Sequence, residues 1–122
     1  MTEKTIDFSK FMLSDTSFVD VLDPTGQPLQ IIDGQPVRIS VHGAHTARYA
    51  QALKLLKNSD DEEADRLNRA EFLAHLTADV QNFPYPGGAE AIYKERGFAF
   101  VTAQVSQHLM SQGNFWQAGA TK

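Results

Sequence analysis

The sequence predicts an α+β fold: an N-terminal three-stranded antiparallel β-meander followed by about four α-helices. Three observations predict it. Two tight-turn signatures, Asp23-Pro24-Thr25-Gly26 and Asp33-Gly34, punctuate residues 17–43. Around them lie short runs rich in Val and Ile, one of which alternates strictly. After Gly43 the apolar residues change to a spacing of three and four, the period of a helix surface.

The opening segment, 1–16, mixes Phe8, Phe11, Met12 and Leu13 with Ser, Lys and Asp and keeps no sustained period. It reads as an N-terminal arm, extended or mobile until it packs on something. Phe18-Val19-Asp20-Val21-Leu22 is a short strand. Asp23-Pro24-Thr25-Gly26 closes it, with Asp, Pro and Gly at the first, second and fourth positions that a type I turn favours. Leu29-Gln30-Ile31-Ile32 is the second strand, and Asp33-Gly34 suits a two-residue hairpin because both positions tolerate positive φ. Val37, Ile39 and Val41 then alternate with Arg38, Ser40 and His42, which predicts a third strand with one buried face. Pro28 and Pro36 stand just before strands, where a missing backbone donor is tolerated. The meander spans 17–43.

The helical part, 44–112, belongs to the same single domain. Tyr49, Ala52, Leu53 and Leu56 predict a helix over about 45–57, with His45 or Thr46 near its N-cap. Ser59-Asp60-Asp61-Glu62 has the spacing of a capping box, and Asp60 to Glu63 would sit at the positive end of the next helix dipole. That helix is expected from about 60 to 81, with Leu67, Ala70, Leu73, Ala74, Leu76 and Val80 inward. Pro84, Pro86, Gly87 and Gly88 end it. A short helix over about 89–96 stops at Gly97, and a last one over about 98–111 carries Phe98, Val101, Val105 and Leu109 on one stripe. Residues 113–122 form a C-terminal tail bearing Phe115 and Trp116.

Composition narrows the function classes. A length of 122 residues fits one domain, and a hydrophobic share of 42% is ordinary for a globular chain. The absence of cysteine excludes disulfides and thiolate metal sites and fits a reducing compartment. No apolar run approaches the roughly 18 residues that span a bilayer, and Met1-Thr2-Glu3-Lys4 lacks a signal-peptide pattern. The net charge is −4. Acidic and basic residues balance up to 58, so the whole excess lies in 59–122. A nucleic-acid backbone demands clustered Lys and Arg, and no such run is present. Neither nucleic acid nor membrane is expected as a partner.

A catalytic or metal constellation is not expected, and no cofactor is implied. His42 and His45 flank Gly43 without a third nearby ligand and read as polar turn residues. His75 and His108 lie on expected helices, and no Ser or Asp is placed in sequence to complete a triad. The acidic run at Asp60 lacks the central Gly and the distant bidentate Glu of a calcium loop. Gly87-Gly88 matches neither phosphate-loop pattern, so Pro84-Tyr85-Pro86-Gly87-Gly88 reads as a rigid turn. The aromatics carry more signal. Tyr93 and Phe98 are expected in the core, whereas Phe115 and Trp116 lie outside any periodic element. Such a pair either folds back on its own domain or docks on another chain, where Trp is a favoured anchor.

The order of these elements resembles a known group. Thr5-Ile6-Asp7-Phe8-Ser9-Lys10-Phe11 opens the chain, followed by Val21 to Leu29 with its Asp-Pro-Thr-Gly turn, and Asp33-Gly34-Gln35-Pro36-Val37. Then come Gly43, a helix bearing Thr46-Ala47-Arg48-Tyr49, and Ala91-Ile92-Tyr93, Phe98, Gln104-Val105 and Asn114-Phe115. Together they are similar to the tail assembly chaperones of long-tailed, siphovirus-like bacteriophages, over about residues 5–116. The resemblance implies a protein without an active site that binds the tape-measure protein in the host-cell cytoplasm. It would keep that client soluble while tail-tube protein polymerises, and would be absent from the mature virion. It also implies a frameshifted longer form of the chain, for which Gly119-Ala120-Thr121-Lys122 is a plausible exit point. Partner-binding side chains are then expected at both ends: Phe8, Phe11, Met12, Leu13, Phe115 and Trp116. The same groups could join copies of the chain into a homo-oligomer. The alternatives are a minor structural tail or head–tail joining protein and, more remotely, a small metal- or ligand-binding enzyme domain around His42, His45 and Arg48.

Overall fold

A computed structural model of the chain describes residues 7–116. A 3-10 turn at Phe8–Phe11 leads into strands β1 (Thr16–Asp20) and β2 (Arg38–His42) and helices α1 (Ala47–Leu55) and α2 (Glu62–His75). Strand β3 (Thr77–Gln81), helix α3 (Gly88–Lys94) and helix α4 (Ala99–Met110) follow, with 3-10 turns at Arg96–Phe98 and Gln112–Phe115. The fold class is α+β, and among the described residues there are one three-stranded antiparallel sheet and four α-helices.

The sheet order is β1-β2-β3, with Val19 opposite Ile39 and Ile39 opposite Val80. The alternation read from the sequence sets its faces. Val19, Val21, Val37, Ile39 and Val41 are buried against Val101, Val105 and Leu109 of α4, Leu73 of α2 and Ile92 of α3. On the other face the Arg38 guanidinium lies 4.2 Å above the Phe18 ring. Its Nε donates to Asp20 Oδ1 at 2.8 Å.

One strand comes from a different segment than expected. Residues 29–32 form no strand of the sheet. Leu29 N–H donates to Val21 O at 2.9 Å and Val37 N–H donates to Leu29 O at 2.8 Å, but Ile31 and Ile32 point outward. Both turns of this excursion are nevertheless present. Gly26 N–H donates to Asp23 O at 2.9 Å, and Gln35 N–H donates to Ile32 O at 3.0 Å across Asp33-Gly34. Gly26 and Gly34 have φ of 90° and 78°, the left-handed region where glycine is cheapest. The excursion is pinned at its base by Gln104, whose side-chain amide accepts from Leu22 N–H at 2.8 Å and donates to Leu22 O at 2.7 Å.

The missing strand is β3, taken from the end of the expected 60–81 helix. The helix stops at His75 because the next residues gain a sheet partner: His42 N–H donates to Leu76 O at 2.8 Å, and Thr77 pairs with Val41. Thr77, β-branched, favours that extended geometry. Its hydroxyl donates to Leu73 O at 3.0 Å and lies 2.7 Å from Tyr93 Oη, covering the turn. The N-terminal cap of α2 is also shifted. Asp61, not Ser59, accepts from Ala64 N–H at 2.9 Å, while Ser59 Oγ accepts from Asp61 N–H at 3.1 Å. Helix α1 starts at the Thr46 cap, whose hydroxyl accepts from Tyr49 N–H at 3.2 Å. Tyr93 is buried, and burial pushes its phenol up to about 12. Phe98 packs edge-on against Phe83 and Tyr85 at 5.0 and 5.2 Å.

Candidate interaction surface

The two ends of the described residues meet outside the named strands. Leu13 and Trp116 form an antiparallel bridge, and Ser14 N–H donates to Phe115 O at 2.7 Å. The segment that follows the N-terminal turn therefore stands beside Phe115 and Trp116. The turn's own fold is local: Asp7 Oδ1 accepts from Ser9 N–H at 3.1 Å and caps Phe8–Phe11. That cap fixes the backbone while leaving the rings outward. Phe8, Phe11 and Met12 are 67%, 62% and 59% exposed, and Trp116 is 40% exposed. Leu13 is half-buried against the core.

Phe115 is a core residue, which corrects the expectation that it faces a partner. It is 2% exposed. Its ring lies edge-to-face with His45 at 5.5 Å and His108 at 6.0 Å, in a slot that Gly43 keeps open. A Cβ on Gly43 would stand 2.5 Å from His45 Cε1 and 3.1 Å from Phe115 Cε2. Of the two readings open for the Phe115-Trp116 pair, folding back holds for the first ring and exposure for the second. The expected arm of 1–16 and tail of 113–122 are both partly outside the described residues, as are Thr5, Ile6 and Gly119 to Lys122.

Polar groups lock the slot. Ser17 Oγ donates to Asn114 O at 2.9 Å, so its lone pair accepts from His108 Nε2–H at 2.9 Å. Asn114 Nδ2 donates back to His108 O at 3.0 Å. This geometry assigns the proton of neutral His108 to Nε2. The fold thus places a serine beside His108, which the sequence spacing did not reveal. Its single proton is committed to a backbone carbonyl, so the pair works here as a clamp. Burial pushes His108 below its ordinary value, opposed by the charge of Asp20. Burial and the nearby Arg48 cation lower His42, against Asp15. His42 and His45 are separated in role: the first ends β2, the second meets Phe115 edge-to-face. His75 ends α2, and its carbonyl accepts from Arg48 Nε at 2.8 Å. Among the described residues no group of three or more His, Asp or Glu side chains is placed to hold a metal ion. No helix among them is long and apolar enough to cross a membrane.

A second surface feature escaped sequence reasoning altogether. Helices α2 and α4 flank a trough of about 450 Å³ whose walls include Arg66, Arg69, Arg96, Ala99 and Ala103. The signal was available only as helical spacing on the outward side of α4, opposite the Val101–Val105–Leu109 stripe.

The chain matches no family model, no curated protein and no solved structure.

Proposed function

We propose that this chain is a non-catalytic chaperone that holds an apolar segment of another protein. The setting is the one its resemblance to phage tail assembly chaperones implies. The client is then the tape-measure protein, kept in solution in the host-cell cytoplasm while tail-tube protein assembles around it. The chaperone is released before the virion matures.

One observation carries this reading: Phe8, Phe11, Met12 and Trp116 are exposed on two segments that Leu13 and Trp116 pair side by side. Large apolar groups on adjoining segments are costly to leave in water. Burying a fully exposed Phe or Met is worth roughly 1.5–3 kcal/mol, and a partner that covers these groups gains the share that their exposed part represents. A surface of this chemistry fits an apolar helix of the client, with aromatic anchors at its centre. The chain's net charge of −4 favours the solubility of the complex.

Co-expression with the tape-measure protein tests it. The client is expected in the soluble fraction with the native chain and in the pellet with Phe8→Ser/Phe11→Ser. Equal precipitation with and without the native chain contradicts the role. Mass spectrometry of purified particles separates a chaperone, which should be missing, from a structural tail or joining protein, which should be present.

A further inference from the structure

We propose that the trough between α2 and α4 is a docking groove for an amphipathic α-helix of a partner protein whose apolar face is flanked by carboxylates. It goes beyond the terminal surface and does not depend on it.

The shape comes from two matched helical stripes. Arg66, Arg69, Ala70 and Leu73 on α2 face Ala99, Ala103 and Ser106 on α4. Both sets recur at three and four residues over about two turns, or about 10 Å of helix. The opposite side of α4, with Val101, Val105 and Leu109, is committed to the core. Small side chains along the outward stripe leave room for a third backbone at ordinary helix-packing distance. The open space is about 450 Å³, floored by Tyr93.

The walls select a helix over an extended chain. Away from the helix ends, the backbone N–H and C=O groups of α2 and α4 are used inside their own helices. Beside the trough, Lys94 O at the end of α3 accepts from Arg66 Nη1 at 2.8 Å, and Glu95 O accepts from Phe98 N–H at 3.0 Å. Thr102 Oγ1 donates to Phe98 O at 3.5 Å, and Tyr93 Oη lies 2.7 Å from Thr77 Oγ1. An extended segment would find no backbone ladder here and would bury its own polar groups unpaired. A helix brings those groups already satisfied.

The charges select carboxylates. The lining holds three arginines and one carboxylate, in a chain of net charge −4. That carboxylate, Glu95, is engaged in the chain itself, accepting from Gly97 N–H at 3.1 Å. Arg66 spends three of its donors: Nε and Nη2 both donate to Glu63 at 2.9 Å, and Nη1 goes to Lys94 O. Arg69 and Arg96 spend fewer. Among the described residues Arg69 spends only Nε, on Asp65 at 2.9 Å, and Arg96 only Nη2, on Glu63. Their side chains are 69% and 70% exposed. A guanidinium has five N–H donors, so each keeps several for an incoming carboxylate.

Two synthetic helical peptides test this, both with an Ala/Leu face, one flanked by Glu and the other by Lys. Each is titrated into the isotope-labelled full chain and followed by amide NMR shifts. The Glu peptide is expected to shift amides over 66–73 and 99–106 and to bind at least about tenfold tighter than the Lys peptide. Arg69→Glu/Arg96→Glu should reverse that preference. Ala103→Trp, which fills the trough from an exposed position, should weaken the Glu peptide with an unchanged melting temperature. If that variant folds poorly, the arginine pair carries the test alone. Phe8→Ser/Phe11→Ser should leave peptide binding unchanged. Equal affinity for the two peptides, binding of neither, or shifts confined to the terminal surface would overturn the proposal. So would a concentration-dependent dimer that Arg69→Glu/Arg96→Glu abolishes.

Discussion

The two ends of this chain carry similar ingredients and meet opposite fates. Each has a four-residue 3-10 turn with an aromatic at its last position, Phe11 in one and Phe115 in the other. No residue of the first turn is buried, whereas Phe115 is 2% exposed. Nothing in the turns themselves makes the difference. Phe115 has a slot built by distant elements: Gly43 leaves the space, His45 and His108 supply edges, and Ser17 ties the tail to β1. Phe8 and Phe11 have only the local Asp7 cap. A terminal aromatic is thus core or surface according to what the rest of the chain has left open for it.

Truncating each ring should break the symmetry most sharply. Phe115→Ala is expected to cost about 3–5 kcal/mol in chemical denaturation, the usual range for an aromatic removed from a core. Phe8→Ala and Phe11→Ala should each stay within about 0.5 kcal/mol, as exposed substitutions do. Similar costs at both ends would sink the distinction. Gly43→Ala probes the slot without touching the ring. Overpacking of this kind costs about 1–3 kcal/mol, and His45→Ala in the same chain should recover much of it, because His45 is the nearest obstacle. Full cost in both backgrounds would place the strain elsewhere.

Acidification should loosen one end only. Burial holds folded His108 below its ordinary 6.5, so His108 freed from the clamp binds the proton more readily. The clamp is complete above about pH 6.5 and weakens as pH falls through that value towards the lower folded one. Trp116 is the only tryptophan, so its emission should shift to the red between about pH 7 and 5. His108→Gln should flatten that transition, and a shift that survives it assigns the titration to another group, with His42 next in line.

Much of the fold was legible where neighbours in sequence decide the outcome. The two turns, the Val37–Ile39–Val41 face, the Thr46 cap and the Val101–Val105–Leu109 stripe depend on short-range chemistry. The exchange of strand 29–32 for Thr77–Gln81 did not. Leu73, Leu76 and Val80 keep helical spacing straight through the helix end, so periodicity cannot register the break. Only the free edge of β2 reveals it. The exposed arm at Phe8, Phe11 and Met12 was readable from its lack of period, but the burial of Phe115 was not. Its partners lie on β1, on α4 and at the start of the helical part. The arginines of the trough carry no sequence signal, because their shared groove exists only once α2 and α4 are set side by side against α3.

The central claim is that the apolar groups at the joined termini dock on a foreign chain, and Trp116 reports on it directly. Adding an apolar helical segment of the tape-measure protein to the purified chain should shift Trp116 emission to the blue and saturate. Phe8→Ser/Phe11→Ser should abolish the shift at unchanged stability. Emission that stays put while the segment binds, or an equal shift in the double variant, would contradict the account.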